Sequence, residues 1–474
     1  MITKKFLTNL SYAFGAQFIS LALSMILSLL VPKLLGVTSF GYWQLFIFYT
    51  SYIPFFHFGL NDGVYLLNGG KSYDELDKSS LKSQLLLGTL MELLISLFIC
   101  FFVFYSEIGL DRKFVIYQTL INFLLFCSSN YLGYIFQAVN ETKIFSISII
   151  INKVVFIILL ATMLFLNYKS YKWMIIGYNF SQMISLIYCI VKSKVIMSSR
   201  VLNIKKTFKE IILTISVGSK LMLANIASML ILGVARFLID KEWGIEQFAK
   251  ISFSITLTNF FLLFINQVSM VLFPALRKIT KKNQMKYYLI FDIALSISLP
   301  ALFLFYFPLK VILSNWLPEY ISSIYYFGFL LPLCNSNGKM QLLNNTYLKV
   351  LRMEKDLLKI NLFTVILSLF FSVVSVIYFK SMYAVLAGLV LATWVRNFIS
   401  EVRLKKFFGF KLVGYLQEMV LIIMYIYVIS KFDSLQGFFI YLIVYCLYLA
   451  INKDQIIFIL NKFKIMKERG FDES

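Results

Sequence analysis

Apolar residues in this chain gather in long continuous runs, and short polar gaps separate one run from the next. A helix of about 20 apolar residues crosses the hydrocarbon core of a bilayer. Because the runs are continuous and not alternating, they predict transmembrane helices and argue against a transmembrane β-barrel. We place fourteen spans at 8–32, 41–62, 82–105, 114–138, 144–166, 172–192, 211–235, 248–273, 287–307, 320–346, 357–379, 382–404, 413–430 and 435–452.

Lysines and arginines occupy every second gap between these runs. Six lie in the gap 192–209 and five in the gap 277–286, whereas the intervening gap 239–246 holds only Lys241. We count residues near span ends with the neighbouring gap, and we count Lys153, which we expect to reach the inner surface, with the gap before its span. Of the 45 in the chain, 31 then fall in alternate gaps that include both ends, nine fall in the other gaps, and five are assigned to spans: Lys220, Arg236, Lys250, Lys339 and Arg396. Cytoplasmic loops of membrane proteins carry such an excess of positive charge, so the pattern predicts that both termini are cytoplasmic.

The composition agrees with a membrane protein of many spans. Of 474 residues, 60% are hydrophobic and 14% charged, whereas soluble proteins have about 25% charged residues. The net charge of +22 is explained by contact with anionic lipid headgroups, and no polar segment is long enough to fold as a separate nucleic-acid-binding domain. The first apolar run is too long for a cleaved signal peptide, so we interpret it as a span.

The sequence offers no catalytic or metal-binding constellation. The five cysteines lie scattered in apolar runs without a CxxC pair, and His57 is the single histidine. No GxSxG, HExxH or Walker motif is present. We therefore expect a protein that is not an enzyme and needs no cofactor or metal. For His57 itself we expect a packed side chain, with a protonation switch as the alternative.

The spans divide into repeated halves. We predict an N-terminal six-helix bundle at 1–200, a C-terminal six-helix bundle at 201–406, and two extra spans with a cytoplasmic amphipathic tail at 407–474. In each half the first span is followed by a turn rich in glycine and aromatic residues, 36–43 and 243–248. Paired repeats around a midplane site are typical of transporters.

Charged residues inside spans are costly and usually mark a cavity or pathway. Glu92 and Lys220 lie near the midplane of their spans, and we leave open whether they form an ion pair or line a water-filled cavity. Lys339 and Arg396 lie in the cytoplasmic halves of their spans, and Arg236 lies near the outer surface. This excess of cations favours an anionic substrate such as phosphate, which lysine holds as a point charge.

Polar side chains also recur at helical spacing within several spans. Such stripes indicate either ordinary helix packing or a shared hydrophilic lumen. The candidate lumen residues are Gln17, Ser24, Asn225, Asn259 and Asn266.

The stretches PKLLGVTSFG at 32–41 and FGLNDG at 58–63, with fourteen spans in two halves, resemble the polysaccharide-transporter family. These are O-antigen and capsule oligosaccharide-lipid flippases within the multidrug/oligosaccharidyl-lipid/polysaccharide exporter superfamily. One departure stands out. The family often has an Asp-Arg pair closing the seventh helix, where this chain has Ala235 and Arg236, so only the arginine carries over.

The resemblance implies a flippase that moves an undecaprenyl-pyrophosphate-linked oligosaccharide repeat unit to the outer leaflet by alternating access. It implies an all-α protein in the bacterial inner membrane, with two bundles in a V around a central lumen. Polymerase and chain-length proteins of a polysaccharide assembly system are implied as partners. In this interpretation Lys220, Arg236, Lys339 and Arg396 contact the pyrophosphate, and Glu92 couples transport to an ion or proton. The product is O-antigen, capsule or another exopolysaccharide.

Three alternatives stay open on the sequence. A peptidoglycan lipid-precursor flippase has the same layout. A multidrug/cation antiporter of the same superfamily has about twelve spans and an acidic lumen. A membrane polymerase or glycosyltransferase needs a large outer loop or an acidic catalytic motif, and neither is found in the sequence.

Overall fold

A computed structural model describes the backbone of residues 2–278, 280–410, 415–458 and 461. It describes the side chains of these residues except 2–23, 25, 264–278, 281, 282, 415 and 416. The helices are α1 Ile2–Tyr52, α2 Leu60–Asn68, α3 Lys78–Tyr105, α4 Leu110–Ala138, α5 Thr142–Phe165, α6 Tyr171–Lys192, α7 Lys194–Met197, α8 Ile204–Lys278, α9 Lys281–Ser298, α10 Tyr306–Trp316, α11 Ile321–Leu330, α12 Pro332–Lys339, α13 Asn345–Val350, α14 Glu354–Val374, α15 Met382–Phe408, α16 Tyr415–Lys431 and α17 Ser434–Ile451.

The predicted all-α membrane class is confirmed. The described part of the chain contains fourteen long helices and no strand, and ten of its helical segments are long and apolar enough to cross a membrane. The predicted span 320–346 is a broken helix, in which Pro332 opens α12 and a π-helical turn at Met340–Asn344 precedes α13. The predicted amphipathic tail lies mostly outside the described residues.

Glycine breaks divide the two longest helices into pairs of spans. Within α1, Gly36 has φ 69° and ψ 173°, and within α8, Gly244 has φ 78° and ψ −175°. These backbone values are essentially restricted to glycine, because a Cβ clashes there with the adjacent backbone. The breaks fall in the two glycine-aromatic turns of the sequence, so the weak sequence repeat corresponds to one repeated backbone feature.

Helix α3 shows the polarity expected of a helix that faces lipid. Large apolar side chains on its outer face are well exposed; they include Leu94, Leu97, Phe98, Phe101 and Phe102. Its buried face instead carries small and polar side chains, among them Gln84, Gly88, Glu92 and Ser96. Lipid is as apolar as a leucine side chain, so polar groups are placed against neighbouring helices and not at the surface.

The chain divides into two compact units, Met1–Ile226 and Ala227–Ser474. The boundary between these units falls inside α8, so the first part of α8 groups with the helices that precede it. The membership of the predicted six-helix bundles stays a prediction.

The first unit holds α8 close to α2 through glycines. A Cβ on Gly218 would lie 2.0 Å from the backbone oxygen of Gly59, and one on Gly63 would lie 2.0 Å from that of Thr214. Next to this contact, Glu210 accepts a hydrogen bond from the Ser80 hydroxyl, and Thr214 donates to Gln84 at 3.1 Å. The FGLNDG motif therefore provides a flat backbone surface for close helix packing inside one chain.

The second unit has an apolar core between α8, α11, α12 and α15. Its fully buried members include Ile239, Ile251, Leu330, Val385 and Leu386. This core fixes the backbone of α12 and α15, the two helices that carry Lys339 and Arg396.

Candidate functional site

Glu92 forms a buried pair with His57 in the first unit. The His57 Nε2 atom lies 3.2 Å from Glu92 Oε1, and 6% and 3% of the two side chains are exposed. The backbone N–H of Asn61 donates to His57 Nδ1 at 3.4 Å, which leaves the proton on Nε2 to be donated to Glu92. The other carboxylate oxygen of Glu92 has no hydrogen-bond partner among the described atoms. This second oxygen can hold a proton.

The pairing of Glu92 resolves one question that the sequence left open. Lys220 is exposed on α8, and the side chain that contacts the Glu92 carboxylate is that of His57. Of the two possibilities that the sequence left open, an ion pair between Glu92 and Lys220 is absent from the described contacts. Sequence reasoning missed His57 as a partner because 35 residues separate it from Glu92 and only the helix packing brings them together.

The candidate lumen residues fall into different environments. Asn225 and Asn259 are both exposed on α8. The Ser24 hydroxyl on α1 accepts a hydrogen bond from Lys153 Nζ at 2.8 Å. The side chains of Gln17 and Asn266 lie outside the described residues.

Arg236 lies near the end of the first span of α8, partly buried. Its guanidinium donates to the Ser252 hydroxyl at 2.9 Å and lies 5.1 Å from the ring centre of Phe248. The hydroxyl and the aromatic face together orient the guanidinium.

Arg396 is a buried cation held by neutral groups. Only 3% of the residue is exposed, its Nε donates to Asn361 Oδ1 at 2.9 Å, and its Nη2 donates to Ser228 Oγ at 3.0 Å. No carboxylate lies within ion-pairing distance among the described residues. A guanidinium held in this way keeps its full positive charge in a medium of low dielectric constant, where attraction for an anion is strong.

Lys339 has the opposite environment. It is 1% exposed and its ammonium contacts three carboxylates, those of Glu418, Glu401 at 3.7 Å and Asp292 at 3.8 Å. Lys405 completes the cluster, 2.8 Å from Asp292 and 3.5 Å from Glu401. We call these five residues the interior ion cluster.

The interior ion cluster joins α9, α12, α15 and α16, and it accounts for the charge of Lys339 within the protein. This environment favours a structural role for Lys339, so we do not include it in the proposed substrate site. The one sequence signal for this cluster was the i,i+4 spacing of Glu401 and Lys405 on a single helix face.

The fold is similar to those of known transporters. The structure of the lipid II flippase MurJ in an inward closed conformation superposes with a TM-score of 0.66 and 17% sequence identity, covering 94% of this chain and 99% of that one. An inward-facing multidrug resistance MATE transporter of the MOP superfamily gives a TM-score of 0.59 and 12% identity, covering 83% and 98%. At these identities the likeness concerns the fold alone.

A MOP superfamily transporter from Pyrococcus furiosus, described as having a binding pocket of reverse polarity, gives a TM-score of 0.52 and 12% identity. The alignment covers 85% of this chain and 95% of the Pyrococcus furiosus protein.

No curated protein matches this chain in sequence. Residues 6–280 match the family described as polysaccharide biosynthesis protein. Because this match spans more than half of the chain, the protein belongs to the polysaccharide biosynthesis family, and the resemblance to polysaccharide transporters of the MOP superfamily is confirmed.

Proposed function

We propose that this protein is a flippase that moves an undecaprenyl-pyrophosphate-linked oligosaccharide repeat unit from the inner to the outer leaflet by alternating access. Membership of the polysaccharide biosynthesis family supports this proposal, as does a fold shared with a lipid-linked precursor flippase. The proposed location is the bacterial cytoplasmic membrane with both termini inside. The proposed partners are the polymerase and chain-length proteins of an O-antigen, capsule or exopolysaccharide system.

The buried guanidinium of Arg396 is the main structural support for this proposal. Burial of a cation among neutral groups within a span is costly, and a residue retained there usually marks a substrate or ion pathway. The fork of an arginine matches two oxygens of a phosphate, and Asn361 and Ser228 orient that fork. We propose that Arg396 and Arg236 contact the pyrophosphate in the second unit and that Lys220 contributes charge in the first unit.

Transport of a fluorescent undecaprenyl-pyrophosphate oligosaccharide in proteoliposomes tests this role. We expect Arg396→Ala to slow flipping about tenfold or more, because a charge-assisted contact is lost. Arg396→Lys should retain part of the rate, since charge remains without the two-oxygen fork.

Arg403→Ala is the matched control for this substitution. This substitution removes an arginine from the same helix. The Arg403 Nε atom lies 2.9 Å from an oxygen of Asp356 in an exposed ion pair, so the variant should transport at the wild-type rate. Equal rates for Arg396→Ala and the wild type would contradict the role of Arg396. Faster transport of a peptidoglycan lipid precursor than of oligosaccharide carriers would support the peptidoglycan flippase instead.

We further propose that Glu92 carries the coupling proton on the carboxylate oxygen that has no partner among the described atoms. The buried contact at 3.2 Å supports this role, because His57 Nε2–H holds the first oxygen in place and leaves the second one to be protonated. Glu92→Gln keeps the shape of the side chain and removes its titration. We expect its transport rate to lose the response to an imposed pH gradient. A response equal to that of the wild type would exclude coupling through Glu92.

A further inference from the structure

Lys153 lies at the centre of α5. The helix runs Thr142–Phe165, so eleven residues precede Lys153 and twelve follow it. At 1.5 Å per residue, roughly 17 Å of helix separates it from either end. The charge tally of the sequence counted Lys153 with the cytoplasmic gap, and we expected it to reach the membrane surface. The four-carbon stem of a lysine is too short for that distance, so snorkelling does not explain this residue.

The surroundings of Lys153 do not neutralise its charge. Its ammonium donates to the Ser24 hydroxyl on α1 at 2.8 Å, and the side chain is partly exposed. The nearest sequence candidate for a midplane acid, Glu92, is paired with His57. Among the described residues no carboxylate lies within ion-pairing distance of Lys153. Ser24 belongs to the polar stripe that the sequence places along the first span.

We infer that Lys153, oriented by Ser24, is an anion subsite of the first unit that takes a pyrophosphate ester. A partly exposed lysine at mid-depth of a membrane helix marks a cavity or pathway, because lipid does not solvate its ammonium group. Ser24 fixes one of the three N–H groups of Lys153 and leaves two for oxygens of a phosphate. The identity of the ester rests on the proposed flippase function, whereas the preference for an anion rests on Lys153 itself.

Binding to purified protein in detergent tests the subsite, with undecaprenyl pyrophosphate, inorganic pyrophosphate and phosphatidylglycerol as separate probes. We expect Lys153→Met and Lys153→Gln to weaken binding of undecaprenyl pyrophosphate about tenfold or more, as expected for loss of a charge-assisted contact. Lys153→Arg should bind nearly as the wild type does.

Lys143→Met is the matched control, because it removes the same charge from the exposed end of the same helix, and it should leave binding unchanged. Thermophoresis gives the affinities, and the midpoint of thermal unfolding shows whether each variant is folded. If Lys153→Met unfolds early, the comparison rests on Lys153→Gln.

The outcomes separate the subsite from the proposed substrate. Wild-type affinity of both Lys153→Met and Lys153→Gln for undecaprenyl pyrophosphate overturns the subsite and leaves the flippase proposal standing. Equal binding of all three probes to the wild type, with loss of inorganic pyrophosphate in the Lys153 variants, supports the subsite and counts against the proposed substrate. A wild-type protein that binds none of the probes overturns both.

Discussion

Arg396 and Lys339 are both buried cations of the second unit, but their partners differ in charge. Arg396 is held by an amide and a hydroxyl, and Lys339 is held by three carboxylates. A cation paired in this way loses most of its attraction for an external anion, whereas one held by neutral groups retains it. Their charge and depth were alike in the sequence, and only the contacts distinguish the residue that we propose for binding from the one that we propose as structural.

At the residue scale we predict that Lys339→Met destabilises the protein by about 3–5 kcal/mol, because it leaves three buried carboxylates with Lys405 alone. The midpoint of thermal unfolding in detergent should fall clearly. Adding Glu418→Gln should recover part of the loss, since it removes one of the uncompensated charges.

Arg403→Met provides the control for this prediction. It breaks an ion pair in which 51% of the arginine side chain is exposed, so the expected loss is about 1 kcal/mol or less. Equal stabilities of Lys339→Met and Arg403→Met would show that the interior ion cluster does not stabilise the second unit.

At the element scale, the two long helices turn at single glycines. In both, the backbone at Gly36 and Gly244 has positive φ with an extended ψ, and a new span starts immediately after it. The helices α1 and α8 are therefore each two spans joined by a one-residue break. The sequence predicted separate spans here from its apolar runs, with a turn rich in glycine and aromatic residues between them, and the structure supplies the backbone reason.

Gly244→Ala tests whether the backbone conformation at this position requires glycine. The substitution causes no clash with other parts of the chain, because a Cβ on Gly244 would have no atom from those parts within 4 Å. We expect a loss of about 1–3 kcal/mol from backbone strain alone. Thermal unfolding, together with limited proteolysis between the two spans, measures it.

Gly109→Ala is the companion substitution. A Cβ on that glycine would likewise meet nothing within 4 Å, but its φ is −57°, which alanine adopts freely. It should be as stable as the wild type. A Gly244→Ala protein as stable as Gly109→Ala would contradict the strain argument.

At the scale of the whole molecule, the alternation of basic gaps predicts the sidedness of every loop. The segments between helices follow the predicted gaps closely, including the basic segment before α8. The exception is Lys153, which lies inside α5. When Lys153 is left out of the count for the cytoplasmic gaps, these gaps still hold far more lysines and arginines than the outer gaps, so the predicted orientation is unchanged.

Reporter fusions test this sidedness directly. We expect alkaline phosphatase fused after Asn167 to be active, because that segment between α5 and α6 is predicted to face outward. Fusions after Ser199 and at the C-terminus should be inactive, while green fluorescent protein at the C-terminus should fluoresce. An active phosphatase at the C-terminus would reverse the predicted orientation or change the number of spans.

Much of the fold could be predicted because its signals are local. Continuous apolar runs define spans through the cost of placing backbone polar groups in lipid, and positive gaps define sidedness. The broken span at 320–346 was also visible from Pro332. The candidate site was less predictable, because a charge inside a span indicates its depth and not which helix face it occupies or which side chain lies opposite.

The sequence by itself determined the all-α class, the number of spans, the predicted orientation and the resemblance to polysaccharide transporters. Only the tertiary structure decided which charges are paired. It joined Glu92 to His57, enclosed Lys339 among carboxylates, left Arg396 with neutral partners and placed Lys153 against Ser24. The physical reason is that span formation depends on the transfer of each segment into lipid, whereas pairing depends on side chains from helices far apart in sequence that packing brings within about 4 Å.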